Sequence, residues 1–143
     1  GLMVVAVVGL SALAALIVVM AAPLLAADEP APGSSEAAIV AGRQRFEENC
    51  AICHGLDAHG NGPFAALMNV KPPDLTVMSR AAGGEFPFGR VYRRIDGRDL
   101  PLAHGTRDMP VWGTRLKREG GDETYVRGRI FEILLYLESL QQI

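Results

Sequence analysis

The chain opens on an unbroken apolar run, GLMVVAVVGLSALAALIVVMAAPLLAA, and residues 1–27 contain no Asp, Glu, Lys or Arg. A helix that crosses a bilayer needs about 20 apolar residues, whereas the apolar stretch of a secretory signal is about 7–15. The longer measure fits better. Leu25 also stands where signal cleavage wants a small residue, so residues 1–27 are expected to be an uncleaved transmembrane anchor. Residues 28–36, DEPAPGSSE, break the run with prolines, a glycine and acids, and read as a linker. Nine residues reach no further than about 30 Å, which would keep whatever follows near the membrane.

Beyond the linker the spacing changes. Ser34 and Ser35 are natural N-caps, and Ile39, Gly42, Phe46, Cys50 and Cys53 recur every three or four positions, which is one helical face. Residues 55–120 are rich in Gly and Pro and never sustain a period of two. They predict loops with short helices over 64–69, 75–81 and 88–95. Asp122 then caps a final helix whose stripe is Val126, Ile130, Ile133, Leu134 and Leu137. Residues 37–143 are therefore expected to form an all-α domain: a helix, a loop-rich middle and a helix. Two good helices bury little aliphatic surface, and a large, flat apolar cofactor would supply what such a core lacks.

The formal net charge of −2 gives no reason to expect nucleic acid as a partner. Its distribution is uneven. Residues 80–118 hold nine basic residues against Glu85, Asp96, Asp99 and Asp108, while the flanking segments are acidic. Only two cysteines are present, three positions apart. A disulfide between them would close too small a loop to staple anything. A structural zinc site wants four ligands, and His59 and His104 stand alone; a thioredoxin-like pair wants a βαβ context.

Cys50-Ala51-Ile52-Cys53-His54 has the C-x-x-C-H spacing of covalent c-type haem attachment. On a helix, Cys50 and Cys53 present two thiols on one side, spaced for two vinyl groups, and His54 follows from the same turn as the proximal iron ligand. One haem c is the expected cofactor.

Around this motif, Gly-x-x-x-Phe-x-x-x-Cys-Ala-Ile-Cys-His-Gly over residues 42–55 resembles the first helix and haem-binding turn of class I monohaem cytochromes c. The resemblance continues through Gly60-Asn61-Gly62-Pro63, Lys71-Pro72-Pro73-Asp74-Leu75-Thr76 and Asp108-Met109-Pro110-Val111-Trp112-Gly113 to the helix bearing Leu134-Leu135-Tyr136-Leu137. It implies a cytochrome c-like fold whose first and last helices cross, with Gly42 and Tyr136 at the crossing. It also implies a one-electron carrier rather than an enzyme, with Pro63 as the carbonyl acceptor for the His54 ring.

The sixth iron ligand is expected to be Met109. Met3 and Met20 belong to the apolar run, and Met68 and Met78 sit in stretches that read as short helices soon after His54. Pro110 biases Met109 toward an extended backbone, and its place in M-P-x-W-G resembles the family's distal ligand. His104 and an open sixth position, as in a haem enzyme or gas sensor, remain alternatives. Trp112 is a candidate donor to a haem propionate or a packing residue, and Arg98 and Arg107 are candidate propionate partners. The basic segment is expected to surround the distal haem face and attract an acidic redox partner. With the anchor and the short linker, these features suggest a periplasmic-side domain on a bacterial inner membrane. There it would serve a respiratory or photosynthetic electron-transfer complex beside the anchor.

Overall fold

The computed structural model describes residues 29–100 and 108–142. The expected anchor over residues 1–27 lies outside the described residues, as do His104 and Arg107. Among the described residues there is no strand, and no helix is long and apolar enough to cross a membrane.

Ser34 starts the first helix, its hydroxyl accepting from the Ala37 N–H at 3.1 Å, and α1 runs Ser35–Asn49. A one-residue break at Cys50 leads into the single turn α2 (Ala51–His54). The Gly/Pro-rich stretch that follows holds 3-10 turns at Ala65–Leu67 and Leu75–Val77, the latter running into α3 (Met78–Ala81). Then come α4 (Phe88–Asp96), α5 (Trp112–Gly120) and the long α6 (Glu123–Ser139), whose cap Asp122 accepts from Tyr125 N–H at 2.7 Å. Both long helices and the short ones at 64–69, 75–81 and 88–95 thus appear close to where the spacing predicts them. Helix α5 is an addition, since the spacing predicts no helix over 112–120.

The main packing contact is α1 against α6. Gly42 makes it possible, because a Cβ there would land on the Glu132 carbonyl oxygen. One turn further along, Phe46 meets Tyr136 with ring centroids 5.5 Å apart and planes tilted by 55°. Arg45 Nε donates to Glu132 Oε2 at 2.6 Å, and Arg129 donates to the same carboxylate. Val126, Ile130, Ile133, Leu134 and Leu137 are all buried, as their stripe predicts. Each such side chain stabilises the fold by about 1.5–3 kcal/mol relative to exposure.

Helices α4 and α5 lay Val91, Ile95, Trp112 and Leu116 onto α6. At the far end of α6, Gln141 donates to the Leu75 carbonyl and accepts from Ser79 N–H, which pins the end of the loop-rich stretch. Residues 59–90 add no fully buried large apolar side chain to this core. Leu75, Met78, Phe86 and Phe88 pack against it only half-buried, while Phe64, Leu67 and Val70 stay exposed.

Candidate functional site

The C-x-x-C-H turn is held from both sides by backbone. Cys50 N–H donates to Phe46 C=O at 2.8 Å, continuing α1, and His54 N–H donates to Cys50 C=O at 2.9 Å. The next loop folds back over the turn: Gly60 N–H reaches His54 C=O at 2.8 Å, Gly62 N–H reaches Cys53 C=O at 3.1 Å, and Phe64 N–H reaches Ile52 C=O at 2.9 Å. Gly60, at φ +74°, is needed because a Cβ would run into the Pro72 carbonyl.

One cleft, of about 270 Å³, collects Cys50, Cys53, His54, Met109 and Trp112. It is also lined by Asn49, Ile52, Phe64, Met68, Asp108, Pro110 and Arg115. Two stretches of chain, 49–68 and 108–115, thus meet across it. A larger groove of about 810 Å³, over Ser79, Gly83, Gly84, Phe86, Phe88 and Gln141, contains no thiol, thioether or imidazole.

The cleft's chemistry fits a haem. Ile52 and Phe64, 53% and 51% exposed, present apolar surface that a porphyrin would cover. His54 Nδ1 is the one side-chain N or O among the described residues that is buried without a hydrogen-bond partner. Burial holds the His54 pKa below its ordinary value, outweighing the Pro73 backbone, which acts the other way. The ring is therefore neutral at pH 7, as a metal ligand must be. Burial, with Cys53 adding to it, pushes the Cys50 thiol up to about 12. A thiol so protonated is a poor reactive thiolate, which weighs against a thioredoxin-like pair.

The remaining sequence-predicted residues divide. Trp112 is buried in the core and also lines the cleft. Pro63, the expected acceptor for the His54 ring, is exposed, and the buried His54 Nδ1 has no hydrogen-bond partner. Arg98 does not line the cleft. Its Nε and Nη2 donate to Asp96 at 2.6 and 3.0 Å, and its Nη1 and Nη2 donate to Glu123 at 2.8 and 2.9 Å. That fork ties the end of α4 to the start of α6, with Lys117 joining Glu123 at 2.8 Å.

Asp96 is 7% exposed, and Arg98 is its partner. Replacing Arg98 by Ala is expected to cost about 3 kcal/mol in a urea melt, because it leaves a buried carboxylate unpaired. A loss under about 1 kcal/mol would contradict this.

The sequence reading missed Arg115 and Met68. Of the basic residues in 80–118 that the structure describes, Arg115 alone lines the cleft, its guanidinium 4.9 Å from the Trp112 ring centroid. The i, i+3 spacing of Trp112 and Arg115 on a helix would have signalled it, had α5 been anticipated. The spacing predicts Met68 within a short helix. It is instead the extended residue that ends the Ala65–Leu67 turn, at φ −88° and ψ 143°, and it opens on the cleft. Met78 packs against the core.

Behind the turn, His59 Nδ1 lies 2.9 Å from Asp74 Oδ2. That hydrogen bond raises the His59 pKa above 6.5, while hydrogen bonds from Thr76 and then His59 lower Asp74 from 3.8 to about 2. Stabilisation from a raised histidine is full below 6.5 and is lost as pH rises through the folded value; that from a depressed carboxylate is lost as pH falls from 3.8 toward 2. Both groups are largely exposed, so the effect is small. The melting temperature of the protein is expected to exceed that of His59→Gln slightly at pH 5.5, and the gap is expected to close by about pH 8.5. A gap that widened with pH would refute the pairing.

Residues 39–98 match the family model of cytochrome c, a little under half of the chain. The match supports a c-type cytochrome. It fits the all-helical architecture and an electron-carrying haem protein, and it implies haem c as cofactor. The matched cytochrome c domain contains Cys50, Cys53 and His54 and stops at Arg98, so Met109, Trp112 and Arg115 rest on the geometry of the cleft. No curated protein and no solved structure matches the chain.

Proposed function

We propose that this protein carries single electrons on one covalently bound c-type haem, with His54 and Met109 as axial ligands. The observation that carries the reading is the convergence of two thiols, an imidazole and a thioether on one cleft. Cys50 and Cys53 would hold the haem by thioether bonds, each thiol adding across a vinyl group. A His/Met pair favours the ferrous state and raises the potential, which suits electron transfer rather than turnover of a substrate. Arg115, on the cleft beside Trp112, is the cation available to a propionate among the described residues.

The oxidised holoprotein should show the near-infrared sulfur-to-iron band. Met109→Leu should abolish that band and lower the potential, whereas Met68→Leu should leave both in place. Loss of the band in Met68→Leu instead would transfer the ligand role to Met68. Its absence from the unmodified protein would favour a haem enzyme or gas sensor with an open sixth site.

The apolar run 1–27 and the short linker support a membrane-anchored subunit or donor of a respiratory or photosynthetic complex, its haem domain on the periplasmic side of a bacterial inner membrane. The excess of arginines in 80–118 supports an acidic redox partner. Recovery of the full chain in the wash after alkaline extraction of membranes would refute the anchor. Electron-transfer rates indifferent to ionic strength would refute the acidic partner.

A further inference from the structure

Met109 is half-buried against the core, but among the described residues few hydrogen bonds hold its segment. On its C-terminal side Pro110 has no N–H, and the first backbone tether comes at Val111, whose carbonyl accepts from Arg115 N–H at 3.2 Å as α5 begins. On its N-terminal side stands Asp108. The Asp108 carboxylate Oδ2 accepts from the Val70 N–H at 3.2 Å, across 38 positions of sequence. Among the described residues, no other hydrogen bond joins residues 55–77 to residues 108–111. Asp108 itself lines the cleft, as do Met68 on the Val70 side and Met109 on its own.

From this we infer that Asp108 is a positioning residue for the Met109 thioether. Its carboxylate latches the Met109 segment to the loop that follows the haem-binding turn, so that the sulfur is held over the cleft from both ends. Without the latch, among the described residues, only the Val111 tether and packing on the core would restrain Met109. With the latch closed, the segment between Asp108 and α5 is only Met109, Pro110 and Val111, too short to move the thioether far. The inference rests on Met109 being an axial ligand.

The latch makes the sixth position harder for an outside ligand to take. A thioether held in place competes with added imidazole better than one on a loose segment. Losing one hydrogen bond of ordinary strength corresponds to roughly a fivefold change in an equilibrium constant. Asp108→Asn keeps an acceptor oxygen in place of the carboxylate and removes the charge; Asp108→Ala removes both.

The test titrates imidazole into the oxidised full-length holoprotein while the near-infrared band is followed, with thermal melting recorded in parallel. Asp108→Ala should bind imidazole roughly fivefold more tightly than the unmodified protein and should lose the band at lower imidazole concentration. Asp108→Asn should stay within about twofold of the unmodified protein. Both variants should stay folded and melt within about 8 °C of it, the most that loss of one hydrogen bond of ordinary strength would shift a domain of this size. The latch is overturned if Asp108→Ala binds imidazole as the unmodified protein does. It is equally overturned if Asp108→Asn matches Asp108→Ala, because the charge rather than the bond would then be responsible. An unmodified holoprotein without the band would overturn the ligand assignment, and the latch with it.

Discussion

Replacing Gly42 with Val is expected to destabilise the protein by about 3 kcal/mol or more, a large part of the 5–15 kcal/mol that small domains possess. The reason is the closeness of α1 and α6. Any Cβ at position 42 meets the Glu132 carbonyl oxygen and carbon, and these are backbone atoms of a helix that cannot rotate away. Relief requires the two helices to separate. Separation would also part Phe46 from Tyr136 and lengthen the Arg45–Glu132 ion pair, so the whole contact is lost together. Phe46 is 1% exposed and Tyr136 7%, so little of that contact can be re-formed by small adjustments. Circular dichroism against urea measures the effect, with Gly42→Ala as a milder step. A valine variant melting at the same urea concentration as the unmodified protein would contradict the packing described.

The second large effect concerns the two thiols. Cys50→Ser with Cys53→Ser is expected to abolish covalent attachment altogether, while either single substitution leaves one thioether bond. Stability should fall with attachment. Residues 59–90 bring no large buried side chain to the core, and Ile52 and Phe64 stand half exposed on the cleft wall. Covering them with a porphyrin adds apolar burial that the chain by itself lacks, at about 25 cal/mol per Å². The double variant should therefore lose haem staining on a denaturing gel and also melt at lower temperature. A double variant that kept its stain under denaturing conditions would place the attachment elsewhere.

Much of this was legible in the sequence, for reasons that differ from place to place. The helices α1 and α6 follow from caps at Ser34 and Asp122 and from apolar spacing of three and four, and local rules decide both. Cys50, Cys53 and His54 were legible because five consecutive residues carry their geometry. Helix α5 was not, because Gly113, Gly120 and Gly121 mask a face that has only Trp112 and Leu116 to announce it. The partners of Arg98 were also out of reach. Asp96 lies two positions away and Glu123 twenty-five, and only the meeting of α4 with α6 shows that they share one guanidinium. For the same reason the basic residues of 80–118 looked like a ring around the haem face, while of those described only Arg115 reaches the cleft. Met68 illustrates a third cause: a short-helix reading hid a residue that the end of a 3-10 turn leaves extended and facing the cleft.

If Cys50 and Cys53 bind a haem by thioether bonds, the haem stays on the chain when its iron ligands are stripped. The full chain, produced in cells equipped for c-type haem attachment, is extracted with acidified organic solvent, and its intact mass and visible spectrum are recorded. The expected result is a chain heavier by one haem, with the haem spectrum retained by the protein after extraction. A chain of unmodified mass, with Cys50 and Cys53 both free to alkylation and all colour in the solvent, would contradict it.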